Sequence, residues 1–256
     1  MIALPAGFRT QPLAHRGFHD VKRGRPENSL AAFRAAVKSG YAIELDIQLS
    51  RDKQAMVIHD YDLGRLTAHN GPVRQRSAAD LCTMTLLGSS ETIPTLSQVL
   101  TAVAAQTPVL IEIKDQDGAM GANTGDIERA IANAVRGYTG PLAVMSFNTH
   151  SVALMARFAP KLARGLTTGA LRSSKWRLIP AATRDRMRPI PDYDAVGASF
   201  ISHQITDLKR PRVAELKARG ATILCWTVKG KTTERTVRQI AHNITFEGYR
   251  PKIPTA

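Results

Sequence analysis

Short apolar runs recur along the whole 256-residue chain, and stretches with helical periodicity lie between most of them. Pro108 to Lys114, Pro141 to Phe147 and Thr222 to Val228 are nearly continuous in apolar side chains, the mark of strands covered on both faces. Thr95 to Ala105 sets Leu96, Val99, Leu100 and Val103 on one helical face, and Asp126 to Arg136, Thr149 to Phe158 and Leu208 to Arg219 also read as helices. Strands that alternate with helices over a full chain make an α/β protein with a largely parallel sheet. Leu13-Ala14, Tyr41 to Leu49, Ala55 to Ile58, Arg164 to Thr168, Val196 to Ser202 and Asn243 to Tyr249 bring the strand candidates to nine. No repeat, low-complexity tract or linker divides the chain, so residues 1–256 are expected to form a single domain.

The chemistry-bearing residues crowd into the first of these units. His15-Arg16 follows the first apolar run, and Glu27-Asn28-Ser29 precedes a helix in which Leu30, Phe33 and Val37 recur at helical spacing. Asn28 and Ser29 are both candidates to cap that helix. Glu44 and Asp46 are two apart on a strand and share one face. Two carboxylates so placed either lie on a solvated face or call for a positive partner, of which a hard divalent cation is the simplest. Ala55 to Ile58 ends in His59-Asp60, and histidines near strand ends titrate close to neutral pH. Only Glu112 and Lys114 interrupt the run from Pro108, on one face; alone they read as a buried ion pair.

His15-Arg16-Gly17, Glu27-Asn28-Ser29, Glu44-Leu45-Asp46, His59-Asp60 and Glu112-Ile113-Lys114, in that order, resemble the motif series of the glycerophosphodiester phosphodiesterase family. Ile93 to Leu96, Ser146-Phe147-Asn148 and Cys225 to Val228 are similar to further family segments, whereas Asn243 to Tyr249 departs from the family's Asp-containing closing turn. The resemblance implies a single (β/α)8 TIM-type barrel with a short insertion after the third strand, and the length fits the ~250 residues of such barrels. It implies hydrolysis of glycerophosphodiesters to glycerol 3-phosphate and an alcohol such as choline, with attack by the glycerol 2-hydroxyl as one route. Glu44, Asp46 and Glu112 would then hold Ca2+ or Mg2+, Arg16 and Lys114 would bind phosphate oxygens, and His15 and His59 would be general base and acid. Glu27 would meet the metal or a substrate hydroxyl, or simply sit at the positive end of its helix; Trp226 is either a core residue or a pocket wall.

The net charge of +14 favours anionic partners: a small phosphodiester substrate, or transient contact with an anionic lipid surface. Nucleic acid is disfavoured, since no binding motif occurs and aromatic residues are only 5% of the chain. The 170–192 stretch is basic and reads as irregular, a site wall or a membrane-facing surface. A lysophospholipase D-like activity on a lipid diester, and a barrel that binds an anionic ligand without turnover, are the alternative functions. Two distant cysteines argue against a disulfide framework, and the absence of a leader or an apolar span leads to the expectation of a soluble, cytoplasmic protein.

Overall fold

The computed structural model describes residues 1–254. Its strands are β1 (Leu13–Ala14), β2 (Ala42–Leu49), β3 (Ala55–Val57), β4 (Val109–Ile113), β5 (Leu142–Ser146), β6 (Ala163–Thr168), β7 (Phe200–Gln204), β8 (Thr222–Val228) and β9 (Asn243–Phe246). Eight of them are parallel and run β1-β9-β8-β7-β6-β5-β4-β2, and the β1–β2 pairing closes the ring. The chain therefore has a TIM-type barrel. The ninth strand, β3, lies outside that ring and pairs antiparallel with the upper end of β2, through Ile47↔Val57 to Leu49↔Ala55.

Strand alternation sorts the side chains into two cores. Ile43, Leu45, Ile47, Ile111, Val144 and Ile223 face outward and are buried beneath the helices. Leu13, Ala42, Leu110, Met145, Phe200 and Leu224 face inward, and Leu4 and Phe8 of the N-terminal segment pack with them. That apolar plug fills one end of the barrel. By the same alternation Glu44 and Asp46 follow Ala42 inward, Glu112 and Lys114 follow Leu110, and Trp226 follows Leu224. The polar end thus lies at the strands' C-terminal ends, where barrels of this type carry their sites.

Four of the nine α-helices among the described residues begin on a side-chain cap. Ser29 accepts from the Ala32 N–H to start Leu30–Lys38, Asn148 accepts from His150 to start Thr149–Phe158, and Thr95 with Gln98 forms a capping box for Leu96–Val103. The insertion after β3 has a small core of its own. Helix Ala78–Thr83 lies within it, and Leu63, Val73, Leu81 and Leu86 form a small apolar cluster with Met56 and Ile58 of the β3 hairpin. Several element ends differ from the sequence reading, and two departures have a clear cause. The strand expected from Val196 begins at Phe200, because Gly197 takes a left-handed φ of 63° and makes Val196 to Ala198 a turn. The 170–192 stretch contains the helix Ala181–Met187, none of whose residues is buried, so no apolar period announced it. Both cysteines are free thiols, and no helix among the described residues is long and apolar enough to cross a membrane.

Gly165 on β6 shows how tightly the plug is filled. A Cβ there would lie 2.5 Å from the Phe200 ring. Gly165→Ala is expected to lower stability by about 1–3 kcal/mol through overpacking, read from urea unfolding. An unchanged midpoint would mean that the ring has room to turn aside.

Candidate active site

Two neighbouring strands, β2 and β4, bring the acidic residues together. Asp46 and Glu112 are cross-strand partners in the β2–β4 register, and Glu44 lies one inward position below Asp46. All three are buried, and each offers an oxygen within 4.8 Å of the others. Like charges side by side on neighbouring strands are destabilising unless something offsets them. Lys114 supplies part of that offset, its Nζ lying 2.7 Å from Asp46 Oδ1 and 2.6 Å from Glu112 Oε1. Burial works against both charges, but Lys114, His59 and Arg16 hold Asp46 far below the usual carboxylate range, and Asp46 and Glu112 hold Lys114 above the usual amine range.

Glu44 is left the poorest. Its one hydrogen-bond donor is the backbone N–H of Arg16, 3.0 Å from Oε2. Burial, with Asp46 and Glu112 beside it, pushes its carboxyl well above the ordinary range. The Arg16 guanidinium is shared: it donates to Glu27 Oε1 at 2.7 Å, and its Nε lies 3.2 Å from Asp46 Oδ2 without hydrogen-bond alignment. Three buried carboxylates therefore face one ammonium and a share of one guanidinium. The all-oxygen donor set, its span and its charge deficit fit a hard divalent cation.

Local backbone geometry builds this arrangement. Arg16 is in the left-handed region with φ 55°, which turns its N–H onto Glu44. Gly17 follows at φ 79°, and a Cβ there would meet Ala32 and Phe33 of the first long helix at 2.9 Å, so the turn needs glycine. Asn28, also left-handed at φ 57°, does not cap that helix; Ser29 does, and Asn28 Nδ2 instead donates to Asp46 Oδ2 at 2.9 Å.

Each of the two histidines is backed by a carboxylate. His15 Nδ1 donates to Glu247 Oε2 at 2.6 Å, and His59 Nδ1 donates to Asp60 Oδ1 at 2.6 Å. A carboxylate accepts only, so both rings carry a proton on Nδ1 and leave Nε2 to the ligand, as a lone pair in the neutral ring or as an N–H in the imidazolium. Glu247 lies one step beyond the Ala14↔Phe246 pair, opposite His15, and its other oxygen meets Lys229 Nζ at 2.5 Å. The His15 bond, with Lys229, keeps Glu247 ionised far below the ordinary range. Burial lowers the His15 imidazole below its usual value against the pull of Glu247. Asp60 is held low by His59 and Arg65 despite burial, and Arg65 also donates to both oxygens of Glu27.

The structure thus gathers His15, Arg16, Glu27, Glu44, Asp46, His59, Glu112 and Lys114 at one end of the barrel. Glu27 belongs to an arginine network and stands apart from the triad. Trp226 points inward, half buried, with Nε1 donating to Ser202 O at 2.9 Å and its ring 5.8 Å from that of Phe147. Glu247, Lys229 and Arg65 were not singled out from the sequence. Glu247 had one usable signal, a carboxylate just past the last strand, but its meeting with His15 requires knowing that β9 closes against β1.

Comparison with known proteins gives the class. The model of the glycerophosphoryl diester phosphodiesterase family matches residues 15–244, and the chain belongs to that family and is an enzyme of it. It is 30% identical over 233 residues to a glycerophosphodiester phosphodiesterase of Caldanaerobacter subterraneus, covering 88% of each chain. Among solved structures it is similar to a glycerophosphodiester phosphodiesterase of Agrobacterium tumefaciens, with a TM-score of 0.69, 25% identity, and coverage of 93% of this chain and 96% of that one. A phosphodiesterase of Oleispira antarctica, in complex with the product sn-glycerol-3-phosphate, shares the fold with a TM-score of 0.75 at 22% identity, covering 93% and 92%.

The electrostatics of the triad predict how a cation acts on stability. A carboxyl raised in the folded state favours folding below its ordinary value and loses that contribution as pH rises through the folded value. Glu44 therefore penalises the metal-free fold more at pH 8 than at pH 5, and a cation relieves the penalty. A divalent cation at a fixed concentration about 100 times its Kd at pH 8 should stabilise by about 2.7 kcal/mol there, with a smaller rise in melting temperature at pH 5. A rise equal at both pH values would remove Glu44 from the metal's surroundings.

Proposed function

We propose that the chain hydrolyses soluble glycerophosphodiesters, releasing glycerol 3-phosphate and an alcohol, with Ca2+ or Mg2+ held by Glu44, Asp46 and Glu112. The observation that carries this reading is the presence, at one end of the barrel, of a buried acidic triad with a charge deficit and two carboxylate-oriented imidazoles that both act on its Asp46. A bound divalent cation supplies positive charge against the phosphodiester and its developing transition state. Every other task falls to side chains. Arg16 and Lys114 are the cations that bind non-bridging phosphate oxygens, the first by a planar fork and the second as a point charge. In the present arrangement both are satisfied by carboxylates, so substrate phosphate competes with Glu27 and Asp46 for them.

His15 suits the base. Held neutral by burial, it presents a lone pair on Nε2, while Glu247 fixes the ring and favours the imidazolium formed on taking a proton. The proton removed is that of water, or that of the glycerol 2-hydroxyl, whose attack displaces the alcohol and leaves a cyclic phosphate that water then opens to glycerol 3-phosphate. His59 then serves as the acid: as the imidazolium, with its Nδ1–H held on Asp60, it delivers the proton on Nε2 to the departing alcohol oxygen. Glu27 and Trp226 border the glycerol, the first through a hydroxyl and the second through its ring face. Phosphoryl transfer of this kind is mostly positioning and charge neutralisation, which a preorganised, largely buried site supplies.

Release of glycerol 3-phosphate from glycerophosphocholine and glycerophosphoethanolamine is expected to stop with EDTA and return with Ca2+ or Mg2+. A folded protein that releases none under any of these conditions would sink the reading. His15→Ala and His59→Ala are each expected to lower kcat by at least ~10²-fold.

The pH profile isolates Glu247. His15 must be unprotonated to act as base, so the acidic limb of kcat/KM lies below the ordinary histidine value of 6.5. Glu247 raises His15, so Glu247→Gln moves that limb to still lower pH while the plateau falls by about 10–100-fold. A lowered plateau with an unmoved limb would detach Glu247 from the base.

A further inference from the structure

We propose that the end of the barrel carrying the site docks on an anionic lipid bilayer, through the 170–192 connection that follows β6. The inference names a partner for the site and rests on the preceding reading only in that the surface surrounds its mouth. Seven large apolar side chains are exposed among the described residues. Met1, Ile2 and Ile253 belong to the chain ends. The other four, Val21, Tyr61, Leu87 and Leu178, all lie in the connections that follow β1, β3 and β6, on the side of the site. A soluble barrel has no packing reason to confine its exposed apolar residues to one end.

Leu178 is the extreme case at 91% exposure. It sits between Arg177 and the buried Ile179, on a turn fixed by the Ile179 N–H to Trp176 O bond, so it is presented rather than loose. The same connection carries six Lys and Arg against two Asp. Arg186 and Arg188 are paired with Asp192 and Asp185, whereas Arg172 and Arg177 are exposed and have no carboxylate partner among the described residues. An apolar side chain flanked by free guanidinium groups matches a bilayer with anionic headgroups: the leucine enters the acyl boundary and the arginines meet the phosphates. An acidic protein partner would satisfy the arginines but would not need the apolar residues to be spread around a mouth.

The docking surface is also joined to the site. The Trp176 ring stands edge-on to Phe147 with centroids 4.7 Å apart, and Phe147 stands edge-on to Trp226 at 5.8 Å. These three rings form an apolar track from the barrel interior to the connection that bears Leu178. A bilayer seated on that connection therefore lies at the outer end of a wall of the pocket.

The test uses the full chain and vesicles of phosphatidylcholine alone or mixed with phosphatidylglycerol, with co-sedimentation as the readout. Binding is expected only to the mixed vesicles and should weaken as salt rises. Arg172→Glu/Arg177→Glu should reduce partitioning about tenfold or more, and Leu178→Asp about fivefold. A control reverses Arg136 and Lys161, exposed at the opposite end of the barrel where chains enter β5 and β6. Arg136→Glu/Lys161→Glu should bind within about twofold of the parent if the 170–192 surface is the dock. No binding at low salt, or an equal loss in this control, overturns the proposal; the second result would make binding a property of net charge alone. Turnover of glycerophosphocholine in solution should be unchanged in all of these variants. A parent that binds vesicles yet releases no glycerol 3-phosphate would count against the catalytic reading and leave the docking surface standing.

Discussion

Three carboxylates buried at one end of an apolar barrel repel one another, and the architecture around them is arranged to tolerate that repulsion. Desolvation alone would drive each to take up a proton. Lys114 bridges Asp46 and Glu112, Arg16 reaches Asp46 through its guanidinium and Glu44 through its N–H, and Asn28 donates to Asp46. Even so, Glu44 stays well above the usual range. That deficit fits a site able to take up a further positive charge. It also accounts for the strained backbone at Arg16 and Asn28, which aims one N–H and one side-chain amide at the same cluster.

That cluster survives because the two ends of the barrel are kept chemically separate. Phe200, Leu224 and Leu110 fill the interior from below, with Phe8 beneath them, so the carboxylates rest on a rigid apolar floor and open only toward the mouth. The floor matters for electrostatics as much as for packing. A low-dielectric base strengthens the attraction of Lys114 and Arg16 for the triad, and it would strengthen in the same way their attraction for phosphate. Rigid strands and a dry floor keep the charges where the chemistry uses them.

The strands were legible because both faces of most are covered, which leaves uninterrupted apolar runs, and even the surplus ninth candidate is a real strand. The inward direction of Glu44, Asp46, Glu112 and Lys114 followed from a period of two. Boundaries were less legible where apolar residues occupy turns, as at Val196 before Gly197, or where a helix buries nothing, as from Ala181 to Met187. The choice between Ser29 and Asn28 as cap could not be read locally, because Asn28 is drawn away by a carboxylate 18 residues later. Arg65, 38 residues from Glu27, and Glu247, 232 residues from His15, join the site only once loops are placed and the ring is closed. No local pattern encodes either contact.

The surplus strand enlarges what the ring can hold. β1 is only two residues long and stops at Ala14, opposite Ile43, so the edge of β2 from Ile47 onward has no parallel neighbour on that side. β3 takes that vacant edge, coming from the opposite direction, and returns His59 to the level of Asp46, whose carbonyl accepts the Ile58 N–H. An eight-stranded parallel ring ends in eight positions at its rim, one for each strand. By cutting one strand short and grafting a reversed one beside it, the chain gains a ninth position. That added place is the one occupied by the second histidine.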